Sequence, residues 1–452
     1  MKMKIIVQFG GTGDLAKKKL YPAYNELYKE KHDFFVIALG RRYNTEEDFM
    51  KDVINNKEID SNFKKRVKYL NYDINNRKEN SDIVSCIKDI MNSNSLGKSA
   101  IELVYYFALL PDLYGKAIDS VKEINNSLGN PSKKIVVEKP FGFDLDSSEA
   151  YNKILNKEFS DEEIYRVDHY LGKEFVQNIL VMRFYNDIIQ SIWNKNYIDH
   201  IQIILNETAG VDQRLGFYEN IGVVRDMVQN HILQIVTHLT MSEPSDFTQE
   251  EISHEKLKVL KSTREIDEFV LAKYKSLGKD ENREINTPTF AALKLYVDNF
   301  DFSGVPIYVM TGKKQECKCS TIYVKFRNFK TKSERKGKIG DNAMIITMQP
   351  DMSIDLTLNM KKPSETWKSE SIKLNFNHAD TFKINTPEAY HQIMAKIFQN
   401  DKTLFPCHME IKESWKIVNK LLNSKKIEVY NDRARPKGAE LLIEKDKREW
   451  FI

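Results

Sequence analysis

The chain's first apolar run, IIVQF, ends in Gly10-Gly11-Thr12-Gly13-Asp14-Leu15-Ala16 and opens into a helix-like stretch, DLAKKKLYPAYNELYKE. Small residues at such a point permit a tight turn and bring backbone N–H groups close to an anion at a helix N-terminus. A second apolar run, FFVIAL, follows at the distance a βαβ unit requires, and IELVYYFAL and KKIVVE continue the rhythm. Short β-branched or aromatic runs alternating with helical segments predict a parallel sheet. A lone glycine cluster is equally at home in an ordinary βα turn. With a strand before it, a helix after it and a second strand beyond, the pattern favours a dinucleotide-binding turn.

The second strand ends at Gly40-Arg41-Arg42, where a site for NAD usually places an acid on the ribose 2′-hydroxyl. Arginine can instead pair bidentately with a 2′-phosphate. The plainer alternative is two solvated loop arginines. The position at the end of this strand favours NADP, with NAD as second choice.

From about Tyr165 the pattern changes. Helical segments (DHYLGKEFVQNILVMRF, VVRDMVQNHILQIVTHL) interleave with strands such as HIQIILNET, AALKLYV, TIYVKF, AMIITMQ and SIDLTL, which alternate apolar and polar residues and read as antiparallel. The expected architecture is α/β plus α+β: a Rossmann-type dinucleotide-binding domain over residues 1–165, then a larger, mainly antiparallel α+β domain over 166–452. A chain of 452 residues needs at least two cores.

Lys plus Arg nearly balance Asp plus Glu, leaving a formal charge of +4 with no single-sign tail, so neither nucleic acid nor a membrane surface is an expected partner. The apolar run at the N-terminus is too short for a signal or membrane segment. Four cysteines, Cys86, Cys317, Cys319 and Cys407, carry no disulfide-framework spacing, which suits a reducing, cytoplasmic compartment. The pairs Cys317/Cys319 and Cys407/His408 lack zinc-site spacing, so no metal is expected.

The densest polar constellation is Arg166-Val167-Asp168-His169-Tyr170-Leu171-Gly172-Lys173-Glu174. His169, Tyr170 and Lys173 could surround a phosphate, the ammonium as a point charge and the others as directional donors. Downstream, Val224, Val228, Ile235 and Leu239 form the stripe of a helix over Val223–Thr240, and His231 falls inside it. A lone histidine there is more often a core residue. Arg225, Asp226 and Asn230 on the same segment give it the company a general base needs. Lys313 and Lys318 follow the run IYVM and read by spacing alone as surface charges.

Together these segments resemble the glucose-6-phosphate dehydrogenase family: GGTGDLAKKKLYP (10–22), VVEKPFG (136–142), YRVDHYLGKEFVQN (165–178), ETAGVDQRLGFYENIGVVRDMVQNHILQ (207–234), TPTFAALKLYV (287–297) and GVPIYVMTGK (304–313), in the family's order. The resemblance implies NADP-linked oxidation of glucose 6-phosphate at C1 to the phosphogluconolactone, the first step of the oxidative pentose phosphate pathway, by a cytoplasmic homodimer. It implies His231 as general base and Asp168 as the carboxylate that orients it. It implies His169, Tyr170 and Lys173 on the sugar phosphate, Glu207 and Asp226 on sugar hydroxyls, and Lys313 and Lys318 completing the substrate site. Lys139 would lie between sugar and coenzyme, with a cis bond to Pro140. Gly10, Gly11, Thr12, Gly13, Asp14, Leu15, Lys19 and Arg41 would serve the coenzyme.

Leu110-Pro111 departs from the family's paired prolines, and residues 242–286 and 330–452 match loosely. The alternatives are another sugar or polyol oxidoreductase of the same two-domain plan, which would need no phosphate pocket, and a non-catalytic NADP-binding regulator, which would not keep both Asp168 and His231.

Overall fold

The computed structural model describes residues 2–54, 58–76, 79–211, 215–278, 285–328, 340–349, 352–364, 368–383 and 388–451. They group into two units, Met1–Lys173 with Phe247–Ser253 and Pro387–Lys412, and Glu174–Asp246 with His254–Thr386 and Glu413–Ile452. The Asp212-Gln213-Arg214 part of the family-like stretch lies outside the described residues.

In the first unit, β1 (Met3–Phe9), β2 (Phe34–Gly40), β3 (Val67–Asn71), β4 (Ile101–Phe107), β5 (Ser132–Glu138) and β6 (Ile164–Val167) form one sheet in the order β3-β2-β1-β4-β5-β6. Every pairing is parallel. Strands β1, β2 and β4 are buried almost end to end, which is why their sequences run apolar without alternation. Chain order reverses between β1 and β4, and such a switch point opens the crevice in which α/β sheets bind ligands.

Part of the C-terminal third returns to this unit. Helix Ala389–Gln399 buries Tyr390, Ile393, Met394, Ile397 and Phe398, one continuous stripe at helical spacing. It lies against helix Tyr21–Lys29, and Phe398 meets Phe34 edge-on with ring centroids 5.0 Å apart. At its far end Lys134 donates to the Ile397 carbonyl at 3.2 Å and to the Asn400 side chain. Within the range 166–452 expected as one domain, residues 166–173, 247–253 and 387–412 group with the first unit, the last of these because the stripe of helix Ala389–Gln399 finds its apolar complement there.

The second unit holds β7 (Ile198–Asn206), β8 (Glu268–Tyr274), β9 (Phe290–Leu295), β10 (Ile307–Gly312), β11 (Cys319–Phe326), β12 (Ala343–Gln349), β13 (Ser353–Lys361), β14 (Ser369–Asn377) and β15 (Glu428–Tyr430). Their order is β14-β13-β12-β11-β7-β10-β9-β8-β15. Most pairs are antiparallel, and β11 shows the expected alternation, burying every second residue. Strand β7, read from HIQIILNET as antiparallel, pairs that way with β11 but parallel with β10, and it is buried almost throughout. No helix among the described residues is long and apolar enough to cross a membrane.

Candidate active site

Strand β1 delivers Gly10 to the switch point with φ of +78°. A Cβ there would lie 2.2 Å from the Ala108 carbonyl oxygen, so only glycine lets the turn close between the ends of β1 and β4. The Gly13 N–H donates to the Gly10 carbonyl and the Lys17 N–H to the Gly13 carbonyl, each at 3.0 Å, so the turn passes directly into helical winding. That winding is a short π-helical stretch, Ala16–Leu20, continued by helix Tyr21–Lys29, and the Tyr21 hydroxyl pins it by donating to the Gly11 carbonyl at 2.7 Å. A tight glycine turn that leads directly into a helix start suits the pyrophosphate of a dinucleotide.

Around it, Thr12 is buried, Leu15 is half-buried, and exposed Asp14 pairs with Lys18 at 3.4 Å. Lys19 pairs with Glu388 at 2.8 Å. Arg41 follows β2 and is exposed, its nearest acid being Asp73 at 3.8 Å. An exposed pair at that distance is worth little and leaves the guanidinium available to a phosphate.

Strand β5 leads to Lys139, whose bond to Pro140 is cis. Strand β6 leads to Asp168, 1% exposed, whose carboxylate accepts the Tyr170 N–H at 3.0 Å. The Leu171 N–H donates to the Asp168 carbonyl and the Lys173 N–H to the Tyr170 carbonyl, each at 3.0 Å, folding the loop tightly. As a result the Lys173 ammonium stands 3.6 Å from the Tyr170 ring centroid, and the His169 ring meets Tyr170 edge-on at 5.2 Å. Cation, imidazole and phenol thus share one loop.

In the second unit β7 and β10 are parallel neighbours with Asn206 opposite Gly312, so the next residues, Glu207 and Lys313, emerge side by side. The Lys313 ammonium donates to Glu207 at 2.6 Å, lies 3.3 Å from Asp226 and sits 5.4 Å from the Tyr218 ring centroid. Burial pulls its pKa down, but the Asp226 and Glu207 carboxylates outweigh that and leave it above the ordinary lysine value. It is a fixed cation between two carboxylates. Lys318 is exposed just before β11, between Cys317 and Cys319, whose sulfurs are 3.2 Å apart.

Asp226 and His231 belong to Val224–Ile232, which is wound as a π-helix before continuing as the α-helix Leu233–Thr240. The sequence reading expected one regular helix; i→i+5 bonding changes which side chains are neighbours, and such winding is frequent at functional sites. The Asn230 side chain donates to the Arg225 carbonyl at 2.9 Å and accepts the His231 N–H at 2.7 Å. His231 is 1% exposed. Asp168 falls in the first unit, and His231, Glu207, Asp226, Lys313 and Lys318 fall in the second.

Three contributors escaped the sequence reading. Tyr218 flanks Lys313. Arg183, buried, donates to the carbonyls of His238 at 2.7 Å and Met241 at 2.8 Å, closing the end of the helix that continues from His231. Tyr390 reaches Glu138 from 252 residues away. No local pattern marks any of them, since each acts through a partner remote in sequence.

Two family models cover the chain: "Glucose-6-phosphate dehydrogenase, NAD binding domain" over residues 7–178 and "Glucose-6-phosphate dehydrogenase, C-terminal domain" over residues 180–451. The chain is 34% identical to glucose-6-phosphate 1-dehydrogenase of Borreliella burgdorferi, covering 98% of this chain and 97% of that one. It is 34% identical to the Bacillus subtilis enzyme, covering 99% and 98%. A solved glucose-6-phosphate dehydrogenase in complex with its substrate glucose-6-phosphate superposes with a TM-score of 0.90 at 29% identity, covering 99% and 98%. The super-repressor mutant of Gal80p from Saccharomyces cerevisiae, at 10% identity and a TM-score of 0.55, shows a likeness of fold alone. Matched across both halves, the chain belongs to the glucose-6-phosphate dehydrogenase family.

Proposed function

We propose that this protein oxidises glucose 6-phosphate at C1 to 6-phosphogluconolactone with NADP as coenzyme, NAD being the second choice. The observation that carries the reading is the Asp168–Lys173 loop, which sets His169, Tyr170 and Lys173 together where a phosphate dianion would meet one cation and two directional donors.

Gly10, Gly11, Thr12, Gly13, Asp14 and Leu15 form the cradle for the coenzyme pyrophosphate. Lys19 and Lys139 border the cleft, and Arg41 takes the 2′-phosphate. When bound, NADP supplies the hydride acceptor. Glu207 and Asp226 accept hydrogen bonds from sugar hydroxyls, Lys313 holds both carboxylates in place, and Lys318 completes the substrate site. His231 takes the proton of the C1 hydroxyl, with Asp168 as the carboxylate that orients the imidazole and stabilises its protonated form. As that proton leaves, the C1–H bond gives up its electron pair with the hydrogen, and C1–O becomes the lactone carbonyl.

The four free thiols suit a reducing cytoplasm, and the family resemblance extends the reading to a homodimer. The test follows the reduced-nicotinamide absorbance with glucose 6-phosphate or free glucose, each with NADP and with NAD. A rapid rise with glucose 6-phosphate and NADP, and little with free glucose, supports the reading. A preference for free sugar moves the protein to another oxidoreductase class.

A further inference from the structure

We propose that Tyr390 and Glu138 are positioning residues for the Asp168–Lys173 loop, acting through the first turn of helix Ala389–Gln399. The inference rests on the reading of that loop as the sugar-phosphate site.

Register places Tyr106 of β4 opposite Val136 of β5, and Glu138 lies two residues further on, so the Tyr106 and Glu138 side chains share one face of the sheet. The Tyr106 hydroxyl donates to one Glu138 oxygen at 2.5 Å and the Tyr390 hydroxyl to the other at 3.4 Å. Burial keeps both phenols far above their ordinary pKa, so both remain donors. A carboxyl buried between two phenols is directional: each oxygen has its own donor, and displacing the helix breaks one of the two bonds.

On its other side the same helical turn carries the loop. The Tyr390 ring lies within 11° of parallel to the His169 ring, with centroids 6.2 Å apart. Gly172 approaches so closely that a Cβ there would be 2.6 Å from the Ala389 carbonyl oxygen. The loop therefore rests on Ala389 and Tyr390, and Tyr390 is tied through Glu138 to the end of β5, one residue before Lys139. A phosphate is held well only if its donors stay within a fraction of an ångström of their places. This tie supplies that constraint, and it does so from a segment far along the chain.

The experiment compares Tyr390→Phe, Tyr106→Phe and Glu138→Gln with the unaltered protein, using glucose 6-phosphate, free glucose and NADP as varied substrates and inorganic phosphate as competitive inhibitor. Losing one bond to the carboxyl should raise KM for glucose 6-phosphate roughly tenfold and weaken phosphate inhibition to a similar degree. The KM values for free glucose and NADP should stay within about twofold, because neither meets His169, Tyr170 or Lys173. An unchanged KM for glucose 6-phosphate overturns the proposal, as does an equal loss for every substrate, which a merely structural role produces. His169→Asn and Lys173→Ala separate the two readings. If they leave KM for glucose 6-phosphate unchanged, the phosphate-loop reading itself fails; if they raise it while the three tie variants do not, only the positioning role fails.

Discussion

Gly10 and Ala108 approach so closely that a Cβ on the glycine would stand 2.2 Å from the alanine carbonyl oxygen. Gly10 follows β1 and Ala108 follows β4, the neighbouring strands at the reversal of strand order. Gly10→Ala must move backbone at a φ of +78°, which L side chains rarely adopt. Unfolding free energy should fall by about 1–3 kcal/mol in urea titrations, and NADP should bind at least roughly tenfold more weakly by fluorescence titration. Unaltered coenzyme affinity would show that this turn does not cradle the dinucleotide.

His231→Asn should reduce kcat by about 10²–10⁴-fold, the usual contribution of a positioned general base. Affinity for glucose 6-phosphate, measured calorimetrically without coenzyme, should stay within about threefold. Full retained turnover would move the base to another residue.

Arg41→Ser removes the only side chain assigned to the 2′-phosphate. The ratio of kcat/KM for NADP over NAD should fall about 10–100-fold, almost entirely through KM for NADP, as expected for one charge-assisted contact. An unchanged ratio would return Arg41 to the solvated loop.

Lys313→Met leaves Glu207 and Asp226 facing one another without their cation. Glu207 is 44% exposed, so water screens much of the repulsion and the stability loss should be only about 1 kcal/mol. KM for glucose 6-phosphate should rise on the order of 100-fold, since the two acceptors for the sugar lose their fixed positions. A large fall in melting temperature with unchanged KM would make the lysine purely structural.

Burial pushes the Glu138 carboxyl from 4.5 up to about 7, with Tyr106 and Tyr390 opposing the rise. The folded state therefore holds this proton more tightly than the unfolded chain. That stabilisation is present below about 4.5 and is lost as pH rises through about 7. Over this window the urea midpoint of the unaltered protein should fall relative to that of Glu138→Gln, which does not titrate. Parallel curves would show that the carboxyl ionises normally.

The sequence by itself determined the βαβ rhythm, the glycine turn, the arginines after β2 and the compact DHYLGK loop, because each depends on periodicity or on residues a few positions apart. His169, Tyr170 and Lys173 meet on one loop for the same local reason. Only the tertiary structure decided that β7 pairs parallel with β10, which sets Glu207 beside Lys313, and that Val224–Ile232 winds as a π-helix. It alone returned helix Ala389–Gln399 to the first unit and set Tyr390 against Glu138. An apolar stripe states that a face must be buried but not against what; that choice is made by the packing of whole elements, over separations at which the order of residues along the chain carries no distance information.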